Sequence, residues 1–198
     1  MGLFSEKLTL DLPDSDIVYY PNFFSAEQAD DYFSTLKRNV PWQQDEITLF
    51  GKTYPQPRLT ALYGNNGKSY SYSNITMHPL EFTDELQQIK SAVENEASVK
   101  FTSCLLNLYR SGKDSNGWHS DDEKELGQNP IIASVSFGAE RFFHLRNKTN
   151  KEQKHKILLE HGSLLLMQGE TQHFWQHQIA KTAKNIGERI NLTFRIIK

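Results

Sequence analysis

The chain has 198 residues, 22 Lys plus Arg against 24 Asp plus Glu and a net charge of −2, so one domain (1–198) is expected and wrapping of nucleic acid by bulk positive charge is excluded. Hydrophobic residues at 37% suffice for a core, yet no apolar run approaches the ~18 residues of a membrane span, so no membrane partner is expected. A single cysteine, Cys104, excludes an internal disulfide and cysteine-rich zinc sites, and the first residues lack an apolar leader, so the expected location is cytoplasmic, or nuclear in a eukaryote.

Residues 17–20 read as a short strand closed by Pro21. Ser25-Ala-Glu-Gln28 is a capping-box pattern that opens a helix with Ala29, Tyr32, Phe33, Leu36 and Val40 on one face, ended by Pro41. A second helix is expected over 83–97, with Leu86, Ile89, Val93 and Ala97 on one stripe and acidic or amide residues elsewhere. Both are packing elements. Between them, 47–49, 58–63 and 69–73 have strand character, separated by Phe50-Gly-Lys52 and by Gly64-Asn-Asn-Gly67, which makes this region rich in hairpins. From residue 101 the chain is nearly all short strands, at 101–110, 131–137, 141–145, 156–160, 163–167, 172–179 and 189–197. That succession points to an α+β, mainly β, chain built as a sandwich or jelly roll. No repeat or linker divides it.

The first chemical signal is His119-Ser-Asp121, which follows the turn-rich segment 111–117. Residues two apart in extended chain point the same way, so this imidazole and carboxylate can hold two adjacent positions on a metal. A second histidine would complete the facial triad of non-haem iron(II) oxygenases. Taken alone the spacing is weak and also fits a surface loop. His173 and His177 are both available as the third ligand, and in an extended 172–179 they share a face, so spacing leaves the choice open. His78, His144, His155 and His161 are isolated.

In 189–195 a period of two places Arg189, Asn191, Thr193 and Arg195 on one face and Ile190, Leu192 and Phe194 on the other. The apolar face belongs in a core. The polar face either lines a cavity or belongs to a solvated edge strand. In a cavity, two arginines ~20 Å apart at full extension address different anionic groups through their planar forks.

Five segments together resemble the AlkB family of iron(II)- and 2-oxoglutarate-dependent dioxygenases: Asn107-Leu-Tyr-Arg110, Trp118-His-Ser-Asp-Asp-Glu123, Ile132-Ala-Ser-Val-Ser-Phe-Gly138, Trp175-Gln-His177 and Arg189-Ile-Asn-Leu-Thr-Phe-Arg195. The likeness runs from about Trp42 to the last residue and looks closest to the members that repair alkylated duplex DNA. It implies a double-stranded β-helix (jelly roll) over about 101–198, N-terminal helices packed on it, and a nucleotide-recognition hairpin lid over about 42–80. It implies iron(II) held by His119, Asp121 and His177, which chooses against His173. It also implies contacts to 2-oxoglutarate from Asn107, Tyr109, Arg189, Asn191 and Arg195, with O₂ as the second cosubstrate. Asn107 and Tyr109 alternate onto one face of 101–110, which puts Cys104 on the opposite face, in the core.

On the substrate side the resemblance implies that Tyr72 and His119 sandwich a flipped base, with Tyr70 and Ser73 beside it and Glu123 sensing its exocyclic amino group. Phe50 would be the apolar tip of a finger that enters the stack left by the base. The bland readings are a solvated Glu123 and a Phe50 folded onto the core. Phosphate contacts are expected from 146–156, with five Lys or Arg against one Glu, and from Lys181 and Lys184. The duplex-repair members carry consecutive basic residues where this chain has Lys181-Thr-Ala-Lys184, and a proline where Glu188 stands. The implied function is a monomeric DNA repair enzyme that removes N-methyl groups from 1-methyladenine and 3-methylcytosine, releasing formaldehyde, succinate and CO₂. The alternatives are an RNA demethylase, a protein or small-molecule hydroxylase, and a non-catalytic nucleic-acid binding module. Complete metal and arginine sets argue against the last.

Overall fold

The computed structural model describes residues 7–49, 51–68, 70–72 and 75–198, of which 48, 49, 70–72, 75 and 76 are described by backbone alone. In chain order the elements are β1 (Leu8–Thr9), β2 (Asp16–Tyr20), α1 (Ala26–Asn39), β3 (Glu46–Leu49), β4 (Lys52–Pro55), β5 (Leu59–Gly64), β6 (Tyr70–Tyr72), β7 (Ile75–Met77) and α2 (Asp84–Ala97). There follow β8 (Ser103–Tyr109), β9 (Asn116–His119), a 3₁₀ turn (Lys124–Leu126), β10 (Ile132–Gly138), β11 (Arg141–Asn147), β12 (Lys154–Leu159), β13 (Ser163–Gln168), α3 (Thr171–Phe174), β14 (Trp175–Ile179) and β15 (Arg189–Arg195).

Two antiparallel sheets face each other. The larger has the order β1-β2-β13-β10-β15-β8-β5 and the smaller β12-β11-β14-β9. Strand alternation sorts the larger sheet's side chains onto two faces. Cys104, Leu106 and Leu108 of β8, Ala133, Val135 and Phe137 of β10 and Ile190, Leu192 and Phe194 of β15 pack outward against Ala29 and Leu36 of α1 and Leu86, Ile89 and Val93 of α2. The residues between them turn inward, toward Phe143, Leu145, Trp175 and Ile179 of the smaller sheet. β15 therefore cannot be a solvated edge: it lies between β10 and β8, and all seven of its residues are buried.

Both helices start where the sequence places them. Ser25 and Gln28 close the reciprocal capping box of α1, and the Thr83 side chain caps α2. The acidic and amide face expected of α2 is not wholly solvated, since Lys90 and Glu94 are buried with its apolar stripe. Segment 172–179 is not one strand: its first part is the helical turn α3, which removes His173 from the face it was expected to share with His177. The turn-rich 111–117 segment ends in β9, whose pairing with β14 extends the smaller sheet to the metal-ligand candidates. The larger sheet reaches beyond 101–198, because β2 pairs with β13 and β5 with β8, covering strands that would otherwise be open edges. Within 42–80, β3–β4 and β6–β7 are separate hairpins. Leu49 pairs with Lys52 across the first, and Gly51 takes the left-handed conformation (φ 75°) that its two-residue turn requires.

Glu94 holds the end of α2 to the start of β8. It accepts hydrogen bonds from Lys90 Nζ (2.6 Å), Lys100 Nζ (2.9 Å) and the Phe101 backbone N–H (2.8 Å). Burial alone would raise its pKa, but these donors hold it below the usual carboxylate range. Glu94→Ala leaves Lys90 buried without its partner, so it should lower unfolding free energy by about 3 kcal/mol at neutral pH. A depressed folded pKa stabilises above the unfolded value and is lost as pH falls through the folded one. Urea unfolding should therefore show the gap between the two proteins narrowing below about pH 4.

Candidate active site

The inner residues of β8, β10 and β15 meet the smaller sheet around a cavity of about 590 Å³. Its wall includes Asn107, Tyr109, Ser134, Arg189, Asn191, Thr193 and Arg195. His119, Asp121 and His177 line it too. Register explains their meeting: His119 on β9 lies directly opposite His177 on β14, with ring centroids 4.2 Å apart, and the pairing shifts just beyond. Asp121 follows β9 by two residues, and its backbone N–H donates to Gln172 Oε1 at 2.9 Å. One ligand atom from each of the three residues lies within 4.8 Å of the others.

The electrostatics favour the forms that bind metals. His119 Nδ1 lies 2.8 Å from the Gly117 carbonyl, which can only accept, so Nδ1 is the donor there, and Nε2 lies 3.3 Å from the Asn116 amide nitrogen. His177 is stacked on Phe143 at 5.0 Å. Burial, with the nearby His119, pushes its pKa down to about 3 despite Asp121, so its imidazole is neutral at physiological pH. Asp121 is 2% exposed. Burial would raise its pKa, but Arg195 and the two histidines hold it far below the usual carboxylate range. Arg195 Nη2 donates to Asp121 Oδ1 at 2.6 Å. Two imidazoles and one carboxylate are the donor set of a mononuclear iron(II) site with open positions.

Along β15, six residues from Arg195, Arg189 is 1% exposed. Its Nη2 donates to Ser136 Oγ at 2.9 Å, while Nε and Nη1 have no hydrogen-bond partner among the described residues. Burial draws its pKa down to about 10, and it stays a cation. A buried guanidinium with two N–H groups open to the cavity fits a carboxylate at that end. The residues present therefore suit a metal at one side and a carboxylate some distance from it.

Other expected residues fall into three sets. Asn107 is buried, but its Oδ1 already accepts from Arg58 Nε at 2.8 Å. The Asn191 amide donates to Ser134 Oγ and the Val135 carbonyl, and its Oδ1 accepts from Thr193, so it braces β15 against β10. Glu123 lines the cavity. Phe50 and Ser73 lie outside the described residues, and Tyr70 and Tyr72 are placed only as paired positions of the β6–β7 hairpin, opposite Met77 and Ile75. His173 is apart from the cluster and meets Asn129 Oδ1 at 2.8 Å. Of the basic residues, Arg146 lies 4.2 Å over the ring of the cavity residue Trp118, and Lys148 pairs with Asp122. Arg58 and Gln172 were missed: Arg58 is one polar residue before an apolar stretch, Gln172 one amide among polar neighbours, and no spacing marks either.

Known proteins resemble the chain over most of its length. The family model for the 2OG-Fe(II) oxygenase superfamily matches residues 16–195. The chain is 45% identical over 192 residues to alpha-ketoglutarate-dependent dioxygenase alkB homolog 3 of Bos taurus, covering 92% of this chain and 66% of that protein. It thus spans slightly under two thirds of that relative's length. It is 36% identical over 218 residues to DNA oxidative demethylase ALKBH2 of Arabidopsis thaliana, covering 96% of this chain and 69% of the relative. Among solved structures, that of OsALKBH1 shares the fold with a TM-score of 0.65 at 18% identity, covering 90% of this chain and 97% of the other.

Anaerobic equilibrium dialysis should find one iron(II) per chain. His173→Ala should keep it, whereas His177→Ala should weaken binding by at least ~100-fold, since one of three protein ligands is gone. Loss of metal in His173→Ala with retention in His177→Ala would reverse the assignment.

Proposed function

The chain belongs to the AlkB family within the 2OG-Fe(II) oxygenase superfamily, and from that premise we propose that it removes N-methyl groups oxidatively from alkylated bases in DNA. The observation that carries the reading is that the His119–Asp121–His177 cluster lines the same cavity as a buried arginine, two of whose N–H groups have no hydrogen-bond partner among the described residues. When bound, iron(II), 2-oxoglutarate and O₂ supply the power to oxidise a C–H bond, with succinate and CO₂ as the cosubstrate's products.

The chain's own residues position and exclude. His119, Asp121 and His177 would hold the metal. Arg195 keeps Asp121 ionised and aligned, and would meet the cosubstrate's other carboxylate. Arg189 would receive the far carboxylate, with Tyr109 and Asn107 in the same wall, and Asn191 keeps β15 in register with β10. Substrate recognition falls to the hairpins: Phe50 enters the base stack, offsetting the few kcal/mol of unstacking, while Tyr72 and His119 clamp the flipped base next to Tyr70 and Ser73. Glu123, at the cavity wall, favours bases made cationic by methylation, such as 1-methyladenine and 3-methylcytosine. Oxidation of the N-methyl carbon yields a hydroxymethyl group that leaves as formaldehyde.

Two experiments test this. Arg189→Ala should raise the 2-oxoglutarate requirement for turnover by at least ~30-fold, because one partner of a shielded charge pair is lost. An unchanged requirement would place that residue outside the cosubstrate site. Phe50→Ala should slow demethylation of a duplex oligonucleotide much more than of the same methylated strand alone, at fixed salt, whereas Tyr72→Ala should slow both. Equal slowing of both substrates by Phe50→Ala would remove the wedge role and with it the argument for a duplex.

A further inference from the structure

A second buried guanidinium stands behind the arginine assigned to the far carboxylate. Arg141, the first residue of β11, is 4% exposed. Its Nη2 donates to the carbonyl oxygens of Ala180 (2.6 Å) and Asp114 (3.1 Å), and its Nη1 to that of Ser111 (3.4 Å). Its guanidinium lies 5.9 Å from the centre of the Tyr109 ring, and that of Arg189 lies 5.2 Å from the same ring. Tyr109 and Arg189 face each other across the β8–β15 pair and both line the cavity; Arg141 does not.

The three carbonyls belong to two loops. Ser111 and Asp114 lie between β8 and β9, on the way to His119, and Ala180 directly follows β14 and His177. These loops also meet backbone to backbone, with the Thr182 N–H donating to the Gly112 carbonyl at 2.8 Å. A Cβ on Gly112 would stand 2.6 Å from the Thr182 carbonyl oxygen, so only glycine permits the approach. Arg141 thus closes a crossing of loops that needs three carbonyls gathered around one cation, beside the ring that Arg189 also touches. The Asp114 carboxylate, on a residue whose carbonyl Arg141 also meets, is already engaged by Arg110 at 2.7 Å. A fixed positive charge in this position works on whatever anion Arg189 receives.

We propose that Arg141 is a positioning residue for the far-carboxylate end of the cavity, holding Tyr109 against Arg189 and making the site select a dicarboxylate over a monocarboxylate keto acid. The proposal rests on the 2-oxoglutarate reading above. It acts through two neighbours, so its signature is selectivity and not loss of metal.

The test is calorimetric titration of the manganese(II)-loaded full chain with 2-oxoglutarate and with 2-oxobutyrate, which keeps the keto acid but lacks the far carboxylate. Arg141→Met should weaken 2-oxoglutarate binding by about tenfold while 2-oxobutyrate binding and manganese(II) affinity change by less than about twofold. Arg141→Lys keeps the charge but cannot reach three carbonyls, and should show a selective loss of about threefold; it carries the test if the Met variant does not fold. Unaltered 2-oxoglutarate binding in the variant, or parallel weakening of both keto acids, overturns the positioning role while leaving the cosubstrate reading intact. Failure of the wild-type protein to bind 2-oxoglutarate overturns the cosubstrate reading and this proposal with it.

Discussion

The ion pair between Arg195 and Asp121 joins the two halves of this molecule. Asp121 belongs to the candidate metal cluster beside the smaller sheet, and Arg195 ends β15, an interior strand of the larger one. Neither charge can stand alone at such burial, since an unpaired carboxylate there would take up a proton and a protonated carboxyl is a poor metal ligand. The guanidinium keeps Asp121 anionic, and the anion compensates one of the two arginines on the inner face of β15. The other, Arg189, has no carboxylate in an ion pair with it among the described residues, and the cavity is thereby polarised along one strand.

That polarity depends on the sheets being in register. β15 is buried on both faces, so its period-two pattern sends every apolar side chain to the helices and every polar one to the cavity. A slip of one residue would exchange them. The bonds of Asn191 to Ser134 and Val135 oppose that slip from within the cavity wall. On the opposing sheet, pairing of β9 with β14 sets His119 against His177, and Gln172 on the preceding turn receives the Asp121 N–H. The candidate metal ligands are thus held by strand pairing and one loop contact, with no demand on the hairpins proposed to meet the substrate.

Much of this was legible in the residues themselves. Alternation in 189–195 is strict enough to reveal an inner polar face, and the capping box at Ser25 names the start of α1. His-Ser-Asp spacing was ambiguous alone, and His173 could be rejected only by resemblance, because both histidines fit an extended 172–179. The turn α3 follows from local helical hydrogen bonding that no apolar period signals in four residues. Buried Arg58 and Arg141 were invisible for a common reason: a charged side chain carries no mark of its partner, and theirs are carbonyls or a residue distant in sequence. Lys90 and Glu94 stand four apart on α2, a spacing that pairs them on any helix, but their burial comes from packing that the spacing does not show. Membership of β2 and β5 in the larger sheet likewise depends on long-range pairing.

The account is tested most directly by following both products of one reaction. The protein, iron(II), 2-oxoglutarate and O₂ are incubated with an oligonucleotide carrying 1-methyladenine, and formaldehyde and succinate are measured together against the unmethylated oligonucleotide. The account predicts formaldehyde in step with the restored adenine, and succinate formation stimulated by the methylated strand. Succinate formation that ignores the methyl group, with no formaldehyde released, would contradict it.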